Sequence, residues 1–367
     1  MKGNLTRRGK TSWRFRFEVS ANPRVTKSHT LRGTRKQAEE AAARIIAEYG
    51  SGQYVDPNAL TVADFAAKWL STWAAMNHSN KTYERHEELL RLHVIPKIGN
   101  VPIQKLKALD LQSLYSGHAG APRTKLHIHR LLHRMLGHAV QWNLVSQNVA
   151  ERVDAPSVQD KEVEILTEAE VQRVLEALRG RSLYPIVFTA LGTGMRRGEL
   201  LALRWKDVDL DGATLRVEQS LEQTKRGGLA FKPPKTKYGR RSISLPASVV
   251  TELRQHLKAT LERRMLLGQG KIADDALVFA TELGNTRSPN AMTKEWRSAV
   301  HAAKLKATFH SLRHTHASSL IAAGIDVLVL SRRLGHGSPV ITLKVYGHLF
   351  KPDDRAAAAI EGLLSGK

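Results

Sequence analysis

The chain contains no cysteine. That excludes disulfides, thiolate metal sites and cysteine nucleophiles, so any covalent chemistry must run through another side chain. No apolar run approaches the roughly 20 residues that span a bilayer, and no signal-peptide pattern occurs in the polar start Met1–Lys10. A soluble, cytoplasmic protein is expected. Acidic residues are scarce: 34 aspartates and glutamates stand against 57 lysines and arginines, a formal net charge of +23 over 367 residues. Such self-repulsion gains a fold nothing, so a polyanionic partner is expected, and without a membrane signal nucleic acid is the leading candidate. The length implies two or three domains with separate cores.

Residues 1–55 read as a small α+β domain. Trp13-Arg14-Phe15-Arg16-Phe17-Glu18-Val19 alternates, Lys27–Leu31 follows, and a helical run extends from Thr34 to about Tyr49. Trp13, Phe15 and Phe17 would face the helix, leaving Arg14 and Arg16 on the other side to grip a DNA groove or to form a solvated face. Ser51–Asn58 reads as a linker. Residues 58–155 read as an all-α domain. Thr61 and Asp64 form a cap ahead of Phe65, Trp69, Leu70 and Trp73, and further helices at Tyr83–His93, Leu106–Tyr115 and Arg123–Trp142 are broken by Pro96, Gly99, Pro102 and the Gly117–Pro122 turn. Arg123, Lys125, Arg130 and Arg134, with His127, His129, His133 and His138, give the last helix a polar face suited to phosphate contact. Zinc on His129 and His133 is disfavoured, since no glutamate lies between them and the arginines would repel a cation. A polar linker, Ser157–Lys161, precedes residues 162–367, a mixed α+β and mainly helical domain. Helices at Glu168–Arg179, Leu183–Leu191 and Arg197–Leu203 lead to strands at Ala213–Leu221, Leu229–Lys232 and Arg240–Leu245, with helices again from Ala247.

Two motifs match a pattern without its context. Asp207 to Glu218 satisfies the calcium-loop spacing, but Thr214–Glu218 alternates like a strand where an EF-hand needs a helix, and Asp211-Gly212 reads as a tight turn. Gly192 to Gly198 approximates a dinucleotide fingerprint, yet its third glycine comes one residue late and the run before it is helical. Those glycines instead let the chain turn so that Arg196 can point into a cleft.

Arg196, Lys235, His310, Arg313, His336 and Tyr346 form a set suited to phosphodiester chemistry without metal. The transition state gains negative charge, and guanidinium groups stay charged while holding two oxygens at once. His310 and Arg313, three apart, share a helix face, whereas His314 and His316 are expected to project elsewhere. Ser338-Pro339 opens a helix over Val340–His348 that carries Tyr346. Tyr49, Tyr54, Tyr83, Tyr115, Tyr184 and Tyr238 lie outside these boxes.

Thr193-Gly194-Met195-Arg196-Arg197-Gly198-Glu199-Leu200, Pro234-Lys235-Thr236-Lys237, His310-Ser311-Leu312-Arg313-His314-Thr315, Leu334-Gly335-His336-Gly337 and Val345-Tyr346-Gly347-His348 resemble, in order, the boxes of the tyrosine recombinase (phage integrase) family. The two preceding domains resemble the arm-binding and core-binding domains of lambda-like integrases. The resemblance implies site-specific cleavage and rejoining of DNA through a 3′-phosphotyrosyl intermediate, without cofactor or metal. Arg196 and Arg313 would clamp the scissile phosphate, His310 and His336 would donate further hydrogen bonds, and Glu199 would orient its neighbours. Lys235, or Lys237 two residues on, would protonate the leaving 5′ oxygen. Tyr346 would attack, with His310 accepting its proton, since a phenol with pKa near 10 is only about 0.1% ionised at pH 7. Implied partners are double-stranded DNA at core and arm sites, further copies making a tetramer on DNA, and DNA-bending or directionality proteins. The stretch Asp354–Leu364 suits a helix docked on a neighbouring copy or on its own domain. The alternatives on the same fold are a type IB topoisomerase and a non-catalytic DNA-binding regulator.

Overall fold

Alternation of apolar and basic residues along Ser12–Ala21 puts one set of side chains on each face of a strand, and the fold is built from that point. In a computed structural model that describes residues 3–21, 24–51, 54–159, 163–234, 236–350, 360–361 and 364–365, strands β1 (Gly3–Arg7), β2 (Ser12–Ala21) and β3 (Arg24–Arg32) form an antiparallel sheet in that order. Helix α1 (Arg35–Gly50) packs on it through Ala42, Ile45, Ile46 and Tyr49 against buried Phe15 and Phe17. Arg16 is exposed and Arg14 half-buried. Thr34 and Gln37 make a reciprocal capping box at the start of α1. The described part of Ser51–Asn58, read as a linker, is tied down: the Tyr54 hydroxyl lies 2.9 Å from His29 Nε2, and Lys27 Nζ lies 2.6 Å from the Asp56 carboxylate.

A helical bundle follows, made of α2 (Val62–Trp69), α3 (Asn80–Leu89), α4 (Ala108–Ser116) and α5 (Pro122–Gln141). Contrary to the expectation that Pro96 breaks its helix, α3 runs on through a π-helical stretch, Leu90–Val94, into Ile95–Ile98. The Ile95 N–H donates to the carbonyl of Leu90, five residues back. That wider turn makes room for a proline ring and its missing donor. Along α5, Arg123, His127, Arg130 and Arg134 form one exposed stripe, with Lys125 half-buried beside it. His129 and His138 do not belong to that polar face, as the sequence reading had them. His129 is buried against Tyr115, and His138 Nδ1 accepts from the Trp69 indole at 2.8 Å while its ring lies 4.1 Å from that of Trp73. They sit on the apolar side because the helical repeat carries them there with Leu131, Leu132 and Met135.

Residues Met1–Gln159 form one compact unit and Asp160–Lys367 a second. In the second, α6 (Glu168–Leu178), α7 (Tyr184–Thr193) and α8 (Arg197–Leu201) lead to β4 (Val208–Asp209), β5 (Thr214–Val217), β6 (Ser220–Thr224), β7 (Gly228–Lys232) and β8 (Arg241–Ser244). The single strand read over Ala213–Leu221 is two: β5 lies between β4 and β8, and among the described residues β6 pairs with β7 alone. The Gln219 side chain, between them, donates to the Ala202 carbonyl at 2.8 Å where the chain changes partners. Asp209 Oδ1 accepts the N–H groups of Asp211 and Gly212, making the loop before β5 a side-chain-braced turn, and Asp207 pairs with Arg204. Helices α9 (Ala247–Leu266), α10 (Pro289–Ala302), α11 (Ser311–Ala322), α12 (Val327–Leu334) and α13 (Pro339–Tyr346) complete a mixed, mostly helical α+β fold. Its main core gathers Ile186, Val187, Leu253, Phe279, Trp296 and Leu312, and a smaller one joins Ala317, Ile321, Leu330 and Leu334 to Tyr346. No helix among the described residues is long and apolar enough to cross a membrane.

Histidines inside the bundle make its stability depend on pH. The ring of His86 lies 4.7 Å from that of His78 and 5.8 Å from that of Trp69, and burial, with help from His78 and Arg134, pushes its pKa down from 6.5 to about 4. Unfolding therefore takes up a proton between those values, so this contribution is complete above pH 6.5 and is lost as pH falls toward 4. Melting curves followed by circular dichroism are expected to show a shallower acid loss for His86→Phe than for the parent chain; equal slopes refute this.

Candidate active site

Helix α7 ends at Gly194, whose φ of +67° is open to glycine at little strain, and a Cβ there would lie 2.6 Å from the His316 ring. The reversal places Arg196, in extended conformation, at the head of α8. Three residues on, Glu199 turns back to accept from the Arg196 backbone N–H at 3.0 Å and from its guanidinium at 2.8 Å. Its other partner is the Arg241 guanidinium at 2.9 Å. Glu199 is only 4% exposed. Burial pushes its carboxyl up, but Arg241 and Arg196 outweigh that and hold it below the usual carboxylate range.

The second arginine arrives on α11. Arg313 is 3% exposed, and its guanidinium donates to the carbonyls of Gly194 at 2.8 Å and Leu334 at 2.6 Å. Leu334 precedes Gly335, another left-handed helix cap with φ +66°, whose carbonyl accepts from Arg196 at 3.4 Å. Two glycine-capped helix ends thus turn free carbonyls toward the two arginines. Burial and the charge of Arg196 lower the Arg313 pKa to about 9, still on the charged side of neutrality. His336, just past the second cap, has Nδ1 2.8 Å from the Thr342 hydroxyl. Burial, then Arg313 and Arg196, push His336 down to about 4, and burial with His314 and Arg313 does the same to His310. Both imidazoles are therefore neutral at neutral pH. Arg196 and Arg313 are thereby close enough for their charges to act on His310, His336 and Tyr346.

Tyr346 closes α13, whose start is set by Ser338 and Pro339. It is 1% exposed, and burial raises its phenol to about 12 against the opposing pull of Arg313 and Arg196. Its hydroxyl lies 2.8 Å from His314 Nδ1. The expectation that His314 projects elsewhere is corrected here. His314 lies four residues after His310, so the helical repeat returns it to that face, and the two rings stand edge-on 4.7 Å apart. His316, also expected to project away, is buried with Nδ1 2.7 Å from the Leu191 carbonyl, and it accepts from Arg333 Nε at 3.1 Å.

Lys235 lies outside the described residues, as does most of Asp354–Leu364. Lys237 is exposed, with its ammonium 5.3 Å from the Tyr238 ring centroid. Among the described residues no group of three histidine, aspartate or glutamate side chains is placed to share a metal ion. Arg241, Arg333, His314 and His316 were not singled out from sequence. For His314 a signal existed in its four-residue spacing from His310. Arg241 and Arg333 had none, because their partners, Glu199 and Gly192, are far away in the chain.

Comparison with known proteins gives the lineage. Residues 164–352 match the model of the phage integrase family, and residues 61–117 match that of the phage integrase N-terminal SAM-like domain. A tyrosine recombinase XerC-like protein of Caldanaerobacter subterraneus subsp. tengcongensis is 26% identical over 371 residues, covering 95% of each chain. The integrase of Streptomyces ambofaciens is 28% identical, covering 89% of this chain and 86% of its own. Among solved structures, the Tn1549 transposon integrase in complex with transposon right end DNA superposes with a TM-score of 0.67 at 22% identity, covering 83% of this chain and 99% of that one. A lambda integrase dimer bound to a COC′ core site gives 0.60 at 20% identity, covering 96% and 95%. These structural likenesses concern the fold, whereas the family match spans more than half of the sequence and contains every residue of the site just described: the chain belongs to the phage integrase family, that of the tyrosine recombinases.

Proposed function

We propose that this chain is a site-specific DNA recombinase in which Tyr346 attacks a phosphodiester held by Arg196 and Arg313. The observation that carries the reading is a pocket with a positive excess: Glu199 pairs with the guanidinium groups of Arg196 and Arg241, while that of Arg313 is held by backbone carbonyls, so three cations gather around one carboxylate. A bound phosphate would supply the missing negative charge, and the developing charge of the transition state would be held more tightly still. Attack by the Tyr346 oxygen makes a phosphotyrosyl ester and releases a 5′ hydroxyl. The ester conserves the bond energy, so a different 5′ hydroxyl can reverse the step without ATP. Lys235 is our choice for protonating the leaving oxygen, and His310 and His336 for donating to the phosphate once its charge has raised their pKa values.

Three functional segments fit this reading: 1–55 for an arm site, 58–155 for the core site and 162–367 for catalysis. The exposed Arg123, Arg130 and Arg134 stripe suits the phosphate backbone, as Arg14 and Arg16 suit the arm site, with Lys125 beside the stripe. The lambda integrase tetramer solved on a Holliday junction, 19% identical with a TM-score of 0.59, supports a tetramer working on two duplexes.

A nicked suicide duplex made from the recombination junction recovered from cells expressing the protein tests the chemistry. The parent chain is expected to form a covalent complex on denaturing gels, and Tyr346→Phe none; an adduct in the variant refutes the reading. Relaxation of plasmids without any such site would point to a topoisomerase. Phosphate contact by α5 predicts that the double variant Arg130→Ala, Arg134→Ala lowers the slope of log affinity against log salt by roughly 1 per contact removed. An unchanged slope places the stripe off the DNA. Deleting residues 1–50 is expected to leave core-site cleavage intact, and its complete loss contradicts the three-segment division.

A further inference from the structure

We propose that His314, through Nδ1, is the immediate acceptor of the Tyr346 phenolic proton when that oxygen attacks phosphorus. The inference rests on the reading of Tyr346 as nucleophile, and departs from the expectation that His310 takes the proton. The phenol touches His314 Nδ1 at 2.8 Å. His310 is a neighbour of His314, edge-on at 4.7 Å between ring centres, so His314 is the imidazole in hydrogen-bond contact with the hydroxyl.

The surroundings keep His314 able to accept. It is half-buried on α11 and faces His310 and Arg313 from its own helix, Tyr346 from α13 and Glu164 from the segment before α6. Burial and Arg313 lower its pKa, with Glu164 opposing them, so the ring is neutral at neutral pH. A neutral imidazole carrying its proton on Nε2 leaves Nδ1 as an acceptor, and the phenol then donates. The arginines attract the phenolate, but a guanidinium cannot take the proton, and among the described residues His314 is the base in hydrogen-bond contact with the phenol.

The step balances. The tyrosine O–H bond breaks and its proton goes to Nδ1. The phenolic oxygen forms a bond to phosphorus, the bond from phosphorus to the 5′ oxygen breaks, and its electron pair leaves with that oxygen, which is protonated by a general acid, the role assigned above to Lys235. Nothing is oxidised or reduced. In rejoining, the His314 imidazolium returns a proton to the departing tyrosine oxygen, as microscopic reversibility requires.

The test is single-turnover formation of the covalent complex by full-length protein on the junction-derived suicide duplex, across a pH series. One duplex carries a normal phosphodiester and the other a bridging 5′-phosphorothiolate, whose sulfur leaves without needing a proton. His314→Ala and His314→Asn are expected to slow attack about 100-fold or more on both duplexes, as loss of a general base does. Both variants should also lose the acid-side fall in rate shown by the parent below pH 6.5, the ordinary histidine value, and added imidazole should restore part of the His314→Ala rate. Asparagine keeps an acceptor near Nδ1 but is not basic. A His314→Asn rate within about threefold of the parent, with the same pH profile, would overturn the proposal, leaving His314 as a positioning residue. Full recovery of both variants on the phosphorothiolate duplex would overturn it too, because the lost group would then be serving the leaving oxygen. Melting temperature and non-covalent binding of an intact junction duplex report folding. Should both variants unfold, the parent decides alone: no acid-side limb on the phosphorothiolate duplex sinks the proposal. A covalent complex in Tyr346→Phe would instead defeat the underlying assignment of the nucleophile.

Discussion

Like charges packed into one pocket repel, and the catalytic unit is arranged around making that repulsion tolerable. Arg313 is almost wholly removed from water, with Arg196 and Arg241 near enough for their charges to act on it. A buried guanidinium without partners is strongly destabilising. Here one buried carboxylate, Glu199, bridges Arg196 and Arg241, while backbone carbonyls at two glycine-capped helix ends receive the donors of Arg313 and one of Arg196. Carbonyl dipoles satisfy hydrogen-bond donors without cancelling a full charge. The pocket therefore keeps its positive excess while few of its donors go unmet, the electrostatic condition for holding a phosphate and stabilising the charge that develops on it.

Burial, with that field acting on the histidines, explains why the remaining groups are neutral. His310 and His336 lie among cations and out of water, so both imidazoles shed their protons. A bound phosphate would reverse part of that penalty. The phenol of Tyr346 feels the opposite balance: the arginines favour its anion, but burial dominates and keeps it protonated. An un-ionised phenol acting as nucleophile would need a base within contact distance, and His314 meets that geometric requirement.

In the first unit, cationic and imidazole groups are divided between surface and interior. The arginines of α5 occupy the exposed stripe, where water screens them, whereas His78, His86 and His138 join Trp69 and Trp73 in an aromatic cluster. Imidazole can be buried at moderate cost because it can become neutral, and guanidinium cannot.

Local patterning was enough to mark the sheet and helix of the first fifty residues, the Thr61 cap, the turn at Asp211-Gly212 and the start of the Tyr346 helix, because each depends on interactions within a few residues. The residues Arg196, His310, Arg313, His336 and Tyr346 were legible as a set from the order of their boxes, including a glycine before Arg196 that the backbone geometry requires. Most of what sequence misjudged has a common cause. The passage of a helix through Pro96 rests on a wider local turn that residue order does not announce, whereas the split of one strand into β5 and β6 and the inward faces of His129 and His138 depend on partners supplied by other segments. So do the ion pair of Arg241 with Glu199 and the contact of His314 with Tyr346, across 42 and 32 residues. Amino-acid order by itself determined which chemical groups are present, which helices carry them and the charge of the partner they await. Tertiary closure alone decided which imidazole meets the phenol and which carboxylate holds the arginines, because hydrogen bonds reach about 3 Å and chain order does not encode distances on that scale.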